Sequence, residues 1–310
     1  MRVALATCRE LPGWEKDDLP FHAALEELGI HHESPIWDDP SVDWSAYDAI
    51  LIRTTWDYME KQEAYVSWAE AVGAERPFFN PAEVIRWNTH KSYLRELESA
   101  GVALAPTEWL FRGDAVDVGE MLQRRGWTRG FIKPMVGAAA RETLRFDADV
   151  AGIAAAQAHL VRTLATEDMM VQPYLERVET EGEISAIFID GALSHAVQKI
   201  PVPGDYRVQD DFGATDFPVE LSAERLSAAT AALQAAETRF AHLGEHPLLY
   251  ARVDFLFGDA GELLLTELEL VEPSLFFRHG PAAPGMLASA LKRRISPGPS
   301  RGGNRSIPDA

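Results

Sequence analysis

Along the first ninety residues the apolar positions fall in short blocks. RVALATC (2–8) and DAILIRTTW (48–56) are nearly unbroken apolar runs of strand length, and HHESPIW (31–37) is a weaker third. A stretch from about Asp18 to Leu28, stopped by Gly29, carries helical spacing between the first and third. Continuous apolar strands separated by amphipathic helices predict a parallel α/β sheet covered on both faces. Asn80-Pro81 breaks the pattern, and short helices are expected at 82–86 and at 91–100, the second ended by Gly101.

The middle of the chain changes rhythm. GFIKPMVG (130–137) predicts a strand and loop, TLRF (143–146) a short strand, 148–164 an Ala-rich helix, and DMMVQPYL (168–175) a strand and its exit. These pieces suit a small mixed α+β lobe. EISAIFI (183–189) and ALSHAVQKI (192–200) flank Asp190-Gly191, a strong hairpin signal. Residues 201–218 read as a long loop, whose length argues for function or mobility, and a helix is expected over 223–243. YARVDFLF (250–257) and ELLLTELEL (262–270) predict a second hairpin across Gly258-Asp-Ala-Gly261. The last segment, 296–310, is rich in Pro, Gly and Ser and reads as a disordered tail; there is no internal repeat.

Composition narrows the class. The 310 residues are 46% hydrophobic, as in an ordinary globular protein, and no stretch approaches the roughly 20 apolar residues of a membrane span. A single cysteine, Cys8, excludes an internal disulfide framework and suits the reducing cytoplasm. A formal charge of −19 repels phosphate backbones and acidic membranes, so neither nucleic acid nor membrane is an expected partner.

Against that background TELELVEPSLFF (266–277) stands out, because Glu267, Glu269 and Glu272 interrupt an apolar strand and its exit. With an even-numbered turn that sets Gly258 opposite Gly261, Asp254 falls opposite Leu265 and Arg252 opposite Glu267. Alternation then sends Arg252, Asp254, Glu267 and Glu269 to one face. A one-residue slip would separate Asp254 from the two glutamates. Three carboxylates on one face repel by several kcal/mol at low effective dielectric unless a cation or proton neutralises them. Oxygen donors without His or Cys favour Mg²⁺. The competing reading is a solvated acidic strand face.

The ordered set carries more than any part of it. Arg252-x-Asp254, then Glu267-x-Glu269, preceded by Lys91, Lys133 in FIKP, QPYL at 172–175, KIP at 199–201 and Arg207, resembles the ATP-grasp ligases, the group of glutathione synthetase and D-alanine–D-alanine ligase. With RTTWDY (53–58), the pattern is most similar to the branch containing the cyclo-ligase that makes cycloserine from O-ureidoserine. The resemblance spans about Asn88 to Ile295. It departs at Glu269, where the family often has Asn, and at MVGAAARET, which keeps only Gly137 of a Gly-rich phosphate lid and has Ala138, Ala139 and Ala140 instead.

The resemblance implies an ATP-grasp fold in three lobes: an N-terminal parallel α/β lobe (1–88), a lid and nucleotide lobe (89–175) and a catalytic, metal-binding lobe (176–295). It implies ATP and Mg²⁺ as cofactors, held by Lys91 and Lys133 at the phosphates, by Gln172, Tyr174 and Leu175 at adenine, by Glu183 at ribose, and by Asp254, Glu267 and Glu269 at the metal. The reaction implied is phosphorylation of a substrate carboxylate, then attack by an amine-type nitrogen, with Arg252, Arg207 and Lys199 stabilising the developing charge. An amino-acid-like small molecule is the implied substrate, and a homodimer is left open. In RTTWDY, Arg53 could hold a carboxylate, Asp57 an amino group and Trp56 a wall.

Each residue has a plainer reading. Lys91 could be a surface lysine, Tyr174 and Leu175 core, Glu183 a strand-edge charge, Arg207 and Arg252 salt-bridge partners, and Trp56, Asp57 and Tyr58 packing or capping residues. A peptide ligase joining two molecules, a hydroxyl kinase and a nucleotide-binding regulatory module remain as rival functions. Gly298-Pro-Ser300-Arg-Gly302 fits a nucleophile pattern only literally, without a preceding strand. His31 and His32 fall on opposite faces of a strand, a poor geometry for one metal. Neither a P-loop nor G-x-G-x-x-G occurs.

Overall fold

The computed structural model describes residues 1–11, 15–137, 140–244 and 247–296. The expected tail and its Gly-x-Ser-x-Gly sequence lie outside these, apart from Ser296. The N-terminal sheet takes β1 (Arg2–Thr7), β2 (His31–Glu33), β3 (Ala49–Thr54) and β4 (Phe78–Phe79) in the order β2-β1-β3-β4. All its pairs are parallel, as the continuous apolar runs predict. β2 is shorter than HHESPIW because the strand stops before Ser34-Pro35, where proline offers no ladder donor. α1 (Leu19–Glu27) connects β1 to β2, and α2 (Gln62–Gly73) follows β3 and buries Tyr65, Val66, Ala69 and Val72 on one face.

α3 (Ala82–Asn88) and α4 (Tyr93–Ser99) lead into an antiparallel sheet of β5 (Glu108–Leu110), β6 (Arg129–Pro134), β7 (Leu144–Asp147) and β8 (Met169–Pro173), ordered β5-β8-β6-β7. α5 (Val118–Arg125) and α6 (Val150–Thr163) close its core around Ile132, Leu160 and Val171. Both begin on aspartate caps, Asp117 and Asp149, whose carboxylates satisfy first-turn amides.

After α7 (Val178–Glu181) comes the largest sheet. It is built from β9 (Glu183–Ile189), β10 (Ala192–Ile200), β11 (Thr215–Val219), β12 (Tyr250–Phe257) and β13 (Leu263–Glu269), in the antiparallel order β11-β10-β9-β12-β13. Asp190 (φ 52°) and Gly191 (φ 78°) make the expected tight turn between β9 and β10. The expected long loop is partly ordered: its end is β11, an edge strand that tolerates Pro218 because one side makes no ladder. α8 (Ala223–Arg239) stops short of Leu243, and α9 (Ala283–Ile295), unanticipated from the sequence, packs Leu287, Ala288 and Leu291 into a core shared with Val3, Leu5 and Leu25.

The β12–β13 register corrects the expected one. Phe257 pairs with Leu263 and Phe255 with Leu265, one residue away from the even-numbered turn. A bulge at Thr266 adds a second step, so Asp254 pairs with Glu267 and Arg252 with Glu269. Two one-residue shifts restore the side-chain parity, and the four groups still share a face.

Two buried asparagines join the N-terminal segments to this sheet. Asn80 donates to the Tyr250 and Leu270 carbonyls (3.0 and 2.8 Å) and accepts from the Leu249 amide (2.7 Å). Asn88 bridges the Leu268 carbonyl (2.7 Å) and the Leu270 amide (2.8 Å).

Candidate active site

A cleft of about 420 Å³ opens where the three sheets meet. β12 and β13 supply Arg252, Asp254, Glu267 and Glu269; β6 supplies Lys133, the segment before α4 supplies Lys91, and Glu183 and Lys199 come from β9 and β10. Gln172, Tyr174 and Leu175 line the side toward β8, and Trp56 the side toward the parallel sheet.

Cations and carboxylates are interleaved. Arg252 forks onto Asp254, with Nε at 3.0 Å and Nη2 at 2.9 Å, pairs with Glu269, and donates to the Ser274 carbonyl (3.2 Å). Ser185 donates to Asp254 at 2.6 Å. Lys91 reaches Glu267 at 3.0 Å and the Gly137 carbonyl at 2.8 Å, while Lys133 stands 3.9 Å from the same glutamate. Lys199 pairs with Glu183.

These neighbours set the protonation states. Burial alone would raise the Asp254 and Glu267 carboxyls, but Arg252 with Lys199, and Lys91 with Lys133, outweigh it and hold both below the usual range. Burial lowers the Lys133 ammonium, with Glu267 opposing and Lys91 reinforcing. Glu269 behaves differently: burial, helped by Asp254 and Glu267, pushes its carboxyl well above the ordinary value despite Arg252. Four carboxylates, Glu183, Asp254, Glu267 and Glu269, thus stand among four cations, Lys91, Lys133, Lys199 and Arg252. Asp254, Glu267 and Glu269 bring one oxygen each within 4.8 Å of one another, a set of hard donors that fits Mg²⁺.

Two of the predicted residues lie elsewhere. Arg53 was expected to hold a substrate carboxylate. It is instead 1% exposed and forks onto Asp18 at 2.7 and 2.8 Å, away from the cleft lining. Asp57, expected at an amino group, accepts from Trp37 Nε1 (2.7 Å) and does not line the cleft. The placement of Arg53 follows from the parallel sheet, whose β3 is covered on both faces. Arg207 lines the cleft, clamped by Asp205 (2.7 Å) and lying over the Phe212 ring. In the segment expected to form a phosphate lid, Ala138 and Ala139 lie outside the described residues; Ala140 and Glu142 adopt left-handed backbone (φ 56° and 52°), uncommon without glycine.

The cleft also holds groups the sequence did not single out for a role. Glu272 is buried on its wall, and Arg278 joins Asp17 (3.2 Å) to Asp210 (2.9 Å) and Asp216. Glu272 was visible in the same acidic run, just before Pro273; Arg278 lies outside any motif.

Comparison with known proteins decides the family. Residues 3–80 match the family described as D-cycloserine synthetase DcsG, N-terminal domain. The chain is 32% identical over 286 residues to the cycloserine biosynthesis protein DcsG of Streptomyces lavendulae, covering 90% of this chain and 93% of that protein. It belongs to the DcsG family of ATP-grasp ligases. The crystal structure of D-cycloserine synthetase DcsG superposes with a TM-score of 0.85 at 29% identity, over 96% of this chain and 100% of the other. D-Alanine–D-alanine ligase from Bacillus anthracis, complexed with ATP, shares the fold at a TM-score of 0.66 and 16% identity, over 95% and 97% of the two chains. As a DcsG-family member the protein is an ATP-dependent ligase that forms carbon–nitrogen bonds. The regulatory-module reading is thereby set aside. Among the described residues no helix is long and apolar enough to cross a membrane.

Proposed function

We propose that this ligase phosphorylates the carboxylate of an amino-acid-like substrate with ATP and then closes a C–N bond within the same molecule, as in cycloserine formation from O-ureidoserine. The cleft's alternation of cations and carboxylates is the observation that carries the reading: Lys91 and Lys133 for the phosphates of ATP, and Asp254, Glu267 and Glu269 for Mg²⁺. Bound there, Mg²⁺ would neutralise the β- and γ-phosphates and align the donor. Gln172, Tyr174 and Leu175 would take adenine and Glu183 the ribose hydroxyls.

Arg252 holds its fork against Asp254 and Glu269, beside the point of transfer, where it stabilises charge first on the phosphoryl group and then on the tetrahedral intermediate. Arg207 and Lys199 border the same space, and Trp56 walls it. The carboxylate oxygen attacks the γ-phosphorus and ADP leaves; the nitrogen then attacks the acyl carbon and phosphate leaves. No protein nucleophile enters, so positioning and electrostatics supply the rate.

The test is ADP and phosphate release from Mg-ATP across a panel of amino acids and ureido amino acids, O-ureidoserine included, with hydroxylamine present to trap the acyl phosphate. Hydroxamate that depends on the acid supports the reading and identifies that acid. A phosphorylated product without hydroxamate would replace it with a kinase.

A further inference from the structure

Of the acidic residues on β12, β13 and the segment that leaves them, three are committed to cations: Asp254 to Arg252, Glu267 to Lys91, and Glu269 to Arg252. Glu272 is the exception. Its side chain makes no ion pair and no hydrogen bond to another side chain among the described residues, although the residue is only 9% exposed and lines the cleft. Its backbone is held in place, because Trp56 Nε1 donates to the Glu272 carbonyl at 3.0 Å. A buried carboxylate that no cation pairs among the described residues, held at the edge of the cleft with only its own backbone amide as a hydrogen-bond donor, needs a role that its immediate surroundings do not supply.

Ligation needs a group of this kind. As the C–N bond forms and the C–O bond to phosphate breaks, the attacking nitrogen becomes strongly acidic and must lose a proton. Lys91, Lys133 and Arg252 are cations and cannot accept it, and the other three carboxylates are engaged. We propose that Glu272 is the catalytic proton acceptor of the second half-reaction, its carboxylate oxygen taking the proton from the attacking nitrogen and passing it to solvent through the cleft mouth. This rests on the ligase reading above.

The surroundings suit the task. Burial pushes the Glu272 carboxyl up to about 8, with Lys91, the residue's own amide and Arg252 opposing and Glu267 reinforcing. Glu269 and the hydroxyls of Tyr58, Tyr65 and Tyr250 also face it, and all three phenols are themselves raised by burial. A carboxyl that titrates near neutrality can both take up and release a proton during turnover.

The experiment compares Glu272→Gln and Glu272→Asp with the wild-type enzyme in two assays on the same preparation. The first is product formation from the acid the wild type uses; the second is hydroxamate formation, in which neutral hydroxylamine attacks the acyl phosphate without needing a protein base. The expected result for the Gln variant is a fall of about 100-fold or more in product and of less than about tenfold in hydroxamate. The Asp variant should recover part of the product rate. In the wild type, kcat for product should rise with pH along an acidic limb that the Gln variant lacks. Equal losses in both assays, or no loss in either, would overturn the assignment. Absence of hydroxamate from every acid in the wild type would bring down the ligase reading, and Glu272 with it.

Discussion

Asp254 and Glu267 stand directly opposite each other across β12 and β13, and the bulged Thr266 puts them there. Its hydroxyl donates to the Asp254 carbonyl at 3.0 Å, fixing the extra residue against the strand it displaces. Were Thr266 paired in register instead of bulged, the odd turn would leave Glu267 and Glu269 on the face packed with Leu265 and Val253. The metal-type cluster therefore depends on a backbone irregularity as well as on three carboxylates.

Glu267 is shared by two ammoniums and belongs to the proposed metal set, so its charge is worth more than its bulk. Glu267→Gln should cut Mg²⁺-dependent ADP release by about 100-fold or more while leaving the far-UV spectrum of the fold unchanged. Titrating Mg²⁺ against initial rate provides the measurement, and undiminished turnover would remove this residue from the metal site.

Arg252 neutralises Asp254 and Glu269 at once, both largely buried. In Arg252→Met the two carboxylates remain without their cation, a loss of about 3–5 kcal/mol. Mg²⁺ should restore part of it, because a divalent cation bound only by the folded cluster stabilises by mass action. Thermal melts with and without Mg²⁺ should show a larger metal-induced rise in the variant than in the wild type; equal rises would argue against a shared site.

Much of this site was legible in the sequence because its parts are charged residues on apolar strands, where alternation alone sorts them by face. Arg252, Asp254, Glu267 and Glu269 needed only a hairpin and the correct parity. The turn between them was misjudged because Gly258 and Gly261 suggest a tight even loop, whereas Gly258 donates to the Glu262 carbonyl (2.8 Å) around a longer one. Arg53 was misplaced for a different reason. Local pattern shows that it ends an apolar strand, but not that Asp18, 35 residues earlier at the start of α1, is placed to receive it. Asn80 illustrates the same limit: its proline neighbour announces a chain break, while its three buried hydrogen bonds join segments up to 190 residues apart.

Arg53 and Asp18 form a forked pair, 1% and 2% exposed, with the Pro273 carbonyl as a further acceptor at 3.2 Å. Arg53→Met leaves Asp18 as an uncompensated buried charge and should lower unfolding free energy by about 3–5 kcal/mol. The KM for the acid substrate, measured on the folded fraction below the transition, should be unchanged. A selective rise in KM with normal stability would return Arg53 to substrate binding.

His22 sits beside this pair, its ring 4.6 Å from that of His32. Burial lowers its pKa to about 4, with His32 and Arg53 reinforcing and Asp18 and Glu26 opposing. The folded protein therefore keeps His22 neutral, whereas the unfolded chain takes up a proton below about 6.5. Its contribution to stability is present above that value and is lost as pH falls from about 6.5 toward 4. Urea midpoints at about pH 7 and about pH 5 should fall less in His22→Gln than in the wild type, since the variant has no imidazole to charge on unfolding. Parallel declines in the two proteins would show that His22 takes up its proton equally well in the folded state.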